Sequence, residues 1–263
     1  MKEVKADFTV DLNSGKIIGS NYVYQGEPII KIFKPFRVTE NTRTVVICPG
    51  GSYGDIAPHE ADCVGGFLAN NSIIGVVLYY TVGQAIFPKP VEDVYKAIDW
   101  IRNSGEVNKD KIGIMGFSAG GHLASMIAAK PDWKSFNIHL DFDTSFIAEF
   151  LILAYPVISF QKYVHEGTIT NLLGINPDNE LKKLLSSELN ITEASPPTFI
   201  FHTVSDKSVN VNHSIMFARN CISHSVPTEL HLYPKGDHGV GLAENDRILC
   251  RWPILMLDWL KTI

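Results

Sequence analysis

Lys111-Ile112-Gly113-Ile114-Met115-Gly116-Phe117-Ser118-Ala119-Gly120-Gly121-His122 is the stretch on which the reading of this 263-residue chain turns. Lys111 to Met115 is a short apolar run of strand character, and Ala119 to Ala129 is an alanine-rich run of helical length. Between them, Gly116 to Gly120 forms G-x-S-x-G in a strand–turn–helix context, which presents a serine hydroxyl at the tip of a sharp turn. The turn forces Ser118 into a strained backbone conformation, and side chains at Gly116 or Gly120 would collide with the neighbouring strand and helix. At the N-terminus of a helix the hydroxyl also sits where the backbone dipole favours developing negative charge. A glycine-rich turn carrying a merely solvated serine is the alternative.

A hydroxyl is a poor nucleophile at neutral pH, so it needs a base within hydrogen-bond reach and a third group to orient that base. His238 lies in Lys235-Gly236-Asp237-His238-Gly239-Val240-Gly241, a glycine-rich loop directly after the strand candidate Glu229 to Tyr233. Asp206 lies in Thr203-Val204-Ser205-Asp206-Lys207-Ser208-Val209, directly after the strand candidate Thr198 to Thr203. Taken alone, His238 could be an ordinary loop histidine, and Asp206 could cap a helix starting near Asn210. Asp237 competes as the orienting acid, but neighbouring side chains on a tight loop seldom meet with the geometry an imidazole needs. A further segment, Cys48-Pro49-Gly50-Gly51-Ser52-Tyr53-Gly54, closes the strand candidate Thr44 to Cys48. Small residues there let backbone N–H groups approach a reacting carbonyl, so Gly51, Ser52 and Ala119 are the expected oxyanion donors, with Tyr53 lining the substrate pocket. A plain Pro-Gly turn is the competing explanation for this segment. His59, Glu60 and Asp62 follow it, where they either touch substrate or, for the two acids, complement the N-terminus of the next helix.

Working outward, β-rich runs alternate with helix-length amphipathic runs, the pattern of a mostly parallel sheet covered by helices on both faces. Eight strands are expected: Phe8 to Leu12, Ile29 to Phe33, Thr44 to Cys48, Ile74 to Tyr79, Lys111 to Met115, Phe150 to Ala154, Thr198 to Thr203 and Glu229 to Tyr233. Helices are expected at Ala61 to Ala69, Val91 to Ile101, Ala119 to Ala129, Asn210 to Ile222 and Asn245 to Leu260, the last kinked or restarted by Pro253. Residues 1–263 are read as a single domain. Val157 to Pro197, rich in Gly and Pro around one expected helix at Glu180 to Glu188, is read as an excursion over the sheet that walls the site.

Composition excludes other classes. With 45% hydrophobic and 19% charged residues the chain can bury a sizeable core, and a formal net charge of −5 without basic clusters argues against a nucleic-acid partner. Lys2, Glu3, Lys5 and Asp7 occupy the place where a secretory leader would need an apolar run, and no stretch approaches the ~20 apolar residues of a membrane span. Cys48, Cys63, Cys221 and Cys250 show no disulfide spacing, so they are expected as thiols in a cytoplasmic protein that does not engage membranes. The histidines lack the i, i+4 spacing of a helical zinc site. Apolar residues on the last helix offer a surface on which a homodimer could pair.

Taken together, PGGSYG, LYYTVG, FPKPVEDVYKAIDWIR, GFSAGGHLA, SPPTFIFHTVSDKSV and TELHLYPKGDHGVGLA resemble the carboxylesterase and acetyl esterase branch of the α/β-hydrolases. The resemblance is to hormone-sensitive-lipase-like and acetyl-xylan-esterase-like enzymes, runs from about Val45 to Leu260, and includes the family's chain order of nucleophile, acid and histidine. It implies an α/β-hydrolase fold, hydrolysis of short-chain acyl esters through an acyl-enzyme on Ser118, His238 and Asp206, and no metal or organic cofactor. Two departures matter. Pro49-Gly50-Gly51-Ser52 stands where lipase-like relatives often carry His-Gly-Gly-Gly, and the N-terminal stretch is short for the helical cap of larger members. The first leaves the register of the oxyanion loop open by one residue, the second favours an open site and a compact polar substrate, and the resemblance to deacetylases of sugars and plant polysaccharide fragments implies an acetylated carbohydrate. A peptidase on the same fold and a catalytically silent binding protein are the rival readings.

Overall fold

The apolar runs that read as strands form one sheet. In the computed structural model, which describes residues 5–136, 138–140 and 142–263, the strands are β1 (Phe8–Asp11), β2 (Lys16–Gly19), β3 (Ile29–Phe33), β4 (Thr44–Cys48), β5 (Ile74–Tyr79), β6 (Ile112–Phe117), β7 (Leu151–Ala154), β8 (Thr198–Thr203) and β9 (Thr228–Tyr233). Lys2 and Glu3 lie outside the described residues. The strand order is β2-β1-β3-β5-β4-β6-β7-β8-β9, with β4 to β9 parallel and β1 to β3 antiparallel at one edge. The sheet therefore has nine strands, not the eight expected. The additional strand, β2, is exposed at all four positions and pairs only with β1, so no burial pattern marks it in the sequence.

The central strands β4, β6, β7 and β8 are buried at every position, as strands covered on both faces must be. Alternate residues feed two cores. Val46 and Ile114 pack with Val94 and Ile98 of α2 (Lys89–Ser104), Leu123 and Ile127 of α3 (Ser118–Ala129), and Phe217 of the later helix Asn212–Ser223. Val45, Ile47, Met115 and Phe199 pack on the other face with Val64 and Leu68 of α1 (Asp62–Asn70) and with Trp252 and Met256 of the last helix, Trp252–Leu260.

Segment 157–197 holds two α-helices, α4 (Glu166–Leu173) and α5 (Asn179–Leu184), and a 3-10 turn at Ser187–Leu189, where one helix is expected from the sequence. α4 carries Gly167 and a run of β-branched residues that lower helix propensity, and His165 caps it by accepting from the Thr168 amide. After α6 (Asn212–Ser223), α7 (Trp252–Leu260) begins at Trp252, with Pro253 in its first turn, instead of at Asn245, because proline fits the first helical turn but not the interior.

Candidate active site

Four loops at the carboxyl ends of β4, β6, β8 and β9 meet at one place. At the end of β6, Ser118 has φ +51°, a left-handed conformation rare for a residue with a side chain. Two glycines allow it. A Cβ on Gly116 would lie 2.2 Å from the Gly120 carbonyl oxygen, and one on Gly120 would lie 2.1 Å from the Cys48 carbonyl oxygen, so the elbow is wedged between α3 and the end of β4.

Ser118 Oγ lies 2.8 Å from His238 Nε2, and His238 Nδ1 lies 2.7 Å from Asp206 Oδ2. A carboxylate can only accept, so Nδ1 carries the proton and Nε2 is left to accept from the serine hydroxyl. Asp206 Oδ1 accepts from the Ser208 and Val209 amides, both at 2.9 Å. Oδ2 also lies 3.3 Å from His202 Nε2. Burial alone would raise the Asp206 pKa, but hydrogen bonds from His202 and His238 outweigh it and hold the carboxyl below the usual range. The two loops are tied to each other, because Thr203 and Ser205 hydroxyls both donate to the Gly236 carbonyl and the Gly236 amide donates back to Ser205. Asp237 is exposed and sits outside this chain of bonds.

In the loop after β4 every carbonyl from Pro49 to Tyr53 has a donor. Tyr80 Oη donates to Pro49, Ala57 N to Gly50, Gly54 N and Asp55 N to Gly51, Asn171 Nδ2 to Ser52, and Gly83 N to Tyr53. In a trans peptide the N–H points opposite to the carbonyl. Fixing the Gly50 and Gly51 carbonyls therefore fixes the directions of the Gly51 and Ser52 N–H groups. The same holds for Ala119, since the Ser118 carbonyl accepts from Val157 N at 3.0 Å. Among the described residues these three N–H groups have no protein acceptor, whereas Gly50 N donates to Glu60 Oε2 at 2.7 Å.

Tyr53 does not line the pocket, contrary to expectation. Its side chain is fully buried and its hydroxyl donates to His122 Nδ1 at 2.9 Å, with His122 Nε2 donating to the Leu185 carbonyl at 2.8 Å. Burial lowers the His122 pKa to about 3, and charging the ring would also break the bond from Tyr53. Asp62 stands where the helix-dipole reading expects it, in the first turn of α1, whereas Glu60 has a different role. Asp62 opens α1 and pairs with Lys31 at 2.8 Å, and Glu60 is buried under the β4 loop. Tyr155, directly after β7, and His202, inside β8, are buried neighbours of the site that the motifs did not single out. A histidine within the apolar strand Thr198–Thr203 is a signal that could have exposed the second of them. Among the described residues no group of three His, Cys, Asp or Glu side chains could hold a metal ion.

A serine at a strand–helix elbow, with a histidine and an aspartate supplied after the last two strands of a largely parallel sheet, defines an α/β-hydrolase. The family model described as BD-FAE matches residues 30–221, and the chain belongs to that family. The crystal structure of an acetyl ester-xyloside bifunctional hydrolase from Caldicellulosiruptor lactoaceticus superposes with a TM-score of 0.84 at 33% identity, covering 100% of this chain and 98% of that one. Endo-1,4-beta-xylanase B of Butyrivibrio fibrisolvens is 33% identical over 79% of this chain and 34% of its own length. An acetylxylan esterase of Xylanibacter ruminicola is 30% identical over 84% of this chain and 46% of its own. The chain thus spans less than half the length of these two relatives.

Proposed function

We propose that this protein is a serine ester hydrolase that removes short acyl groups, acetyl above all, from a carbohydrate or similar small polar alcohol through an acyl-enzyme. The observation that carries this reading is the unbroken series Ser118 Oγ, His238 Nε2, His238 Nδ1, Asp206 Oδ2 at 2.8 and 2.7 Å. His238 takes the hydroxyl proton as Ser118 attacks the ester carbonyl carbon, and the oxyanion is held by the Gly51, Ser52 and Ala119 amides. Collapse of that intermediate breaks the bond to the leaving alkoxide, which receives the proton from His238 and departs as the alcohol. Water then attacks the acyl-Ser118 ester with His238 again as base, releasing the acid and restoring the hydroxyl.

The acetyl-carbohydrate preference is supported by the names of the Xylanibacter and Caldicellulosiruptor proteins. Segment 157–197 is proposed to form part of the wall of a single-domain hydrolase. Asn171 donates to the Ser52 carbonyl, and His165 Nε2 reaches Ser208 Oγ, two residues from Asp206, at 3.4 Å. Four cysteines present as thiols support a cytoplasmic location. No helix among the described residues is long and apolar enough to cross a membrane.

The test is an acyl-length series of chromogenic esters followed by acetylated xylo-oligosaccharides. Acetyl and propionyl esters are expected to exceed octanoyl by at least about tenfold in kcat/KM, a discrimination of ~1.4 kcal/mol, with acetate released from the sugars. Equal turnover of octanoyl and acetyl esters with no release from acetylated sugars would overturn the substrate assignment. Turnover of aminoacyl amides in preference to esters would favour a peptidase.

A further inference from the structure

Glu60 has 2% exposure, and both oxygens of its carboxyl group are engaged. Oε2 accepts from Gly50 N at 2.7 Å, and Oε1 accepts from Tyr155 Oη at 2.8 Å, with His59 Nε2 at 3.5 Å. The Tyr155 oxygen accepts in turn from Gly241 N at 2.8 Å, and its ring meets the His238 ring at 5.0 Å between centroids, at a steep angle. A continuous buried chain of hydrogen bonds thus runs from the β4 loop, through Glu60 and Tyr155, to the loop that carries His238.

Both ends bear on the reacting groups. A Cβ on Gly50 would come within 2.6 Å of Glu60 Oε2 and 2.9 Å of Ser118 Cβ, so this residue is clasped between the carboxyl group and the serine. Gly241 follows His238 by three residues, and its carbonyl accepts from Trp252 Nε1. Tyr155 itself is held at φ +38° with its amide on the Phe201 carbonyl at 2.7 Å. Burying a carboxyl group costs free energy that an apolar side chain of equal size would not, so packing alone does not account for Glu60. An acid suits the position because it offers two acceptors to donors arriving from two different loops.

We propose that Glu60 and Tyr155 are positioning residues, a strut that sets the Gly51 and Ser52 amides and the His238 imidazole in register around Ser118. The inference rests on the ester-hydrolase reading and names residues that act through the site without touching substrate. Removing the Glu60 acceptor leaves the Pro49–Gly50 peptide held only by Tyr80 Oη on its carbonyl, and so loosens the Gly50 end of the Gly50–Gly51 peptide, whose N–H is then aimed by the single bond from Ala57 N to the Gly50 carbonyl. The loss falls on the transition state, where the oxyanion exists, and spares ground-state binding.

The experiment compares Glu60→Gln, Glu60→Leu and Tyr155→Phe with the wild-type protein. The readouts are kcat and KM on an acetyl ester, the Ki of a trifluoromethyl ketone whose adduct places an oxyanion in the same amides, and the melting temperature. Glu60→Leu should lower kcat by roughly 10²-fold, on the scale of losing one oxyanion donor. KM should stay within about twofold, because the interaction lost belongs to the transition state. Glu60→Gln, which keeps one acceptor for Gly50 N–H, should recover part of that loss, and Ki should rise in proportion to the fall in kcat/KM across all three variants. Wild-type kcat and Ki in the variants, with only a lowered melting temperature, would overturn the strut. If Glu60→Leu does not fold, the near-isosteric Glu60→Gln and Tyr155→Phe decide the matter by the same criteria. A wild-type protein that neither hydrolyses acetyl esters nor binds the ketone would instead refute the hydrolase reading.

Discussion

The two carboxylate oxygens of Asp206 are divided between backbone and imidazole. Oδ1 holds the Ser208 and Val209 amides of its own loop, and Oδ2 faces His238 and His202. Asp206→Asn should keep the loop intact through Oδ1 while turning an amide N–H2 toward Nδ1, which favours the wrong imidazole tautomer and removes the charge that stabilises the imidazolium. The expected result is a fall in kcat of roughly 10⁴-fold with little change in KM. Steady-state kinetics on an acetyl ester check it, and a loss below about tenfold would show that Asp206 does not orient the base. Ser118, Asp206 and His238 were legible as a set because each sits at a predictable strand end, and the structure brings the three together. Tyr53 was misread because a residue in a glycine-rich loop looks solvent-facing, whereas its φ of +60° turns the ring inward onto His122. Glu60 carried no local mark separating it from the other charged residues near α1, since its partners Gly50 and Tyr155 are 10 and 95 residues away.

At the scale of elements, the strands that place the site were readable because buried parallel strands are continuous apolar runs. β3, β4, β5 and β8 have the expected limits, and β6, β7 and β9 differ by a residue or two at their ends. What escaped lies where burial does not set the pattern. β2 is an exposed edge strand whose hairpin is closed by Asp11, which accepts from Asn13 N and Ser14 Oγ. α4 depends on a histidine cap, and residues 245–248, expected as helix, hold a turn in which Asp246 accepts from the Ile248 and Leu249 amides. The start of α7 at Trp252 has a consequence for the site, since it places this residue against Phe201 in parallel stacking at 4.9 Å and on the Gly241 carbonyl. The last helix thereby ties down the histidine loop through Trp252.

Across the whole molecule, buried histidines join separate parts of the chain. His122 links the β4 loop to Leu185, and His213 accepts from the Ile158 and Ser159 amides while donating to the Tyr163 carbonyl. Burial lowers their pKa values to about 3 and about 4 respectively. An unfolded histidine titrates near ~6.5, so below that pH the unfolded chain binds protons that the folded chain refuses, and stability falls as pH drops toward 4. Each contributes a slope of up to ~1.4 kcal/mol per pH unit. His59, whose pKa is raised by its hydrogen bond to Glu60, acts in the opposite sense but is largely exposed. Urea unfolding between pH 7 and 4.5 should show this decline, and His122→Gln should flatten it by about one proton; an unchanged slope would mean that His122 is not held neutral. The central claim, that distant residues converge to make one hydroxyl reactive, is tested most directly by a fluorophosphonate probe read by intact mass and peptide mapping. One adduct per chain on Ser118, none in Ser118→Ala and markedly slowed labelling in His238→Ala are predicted. Labelling elsewhere, or ester turnover that survives Ser118→Ala, would contradict it.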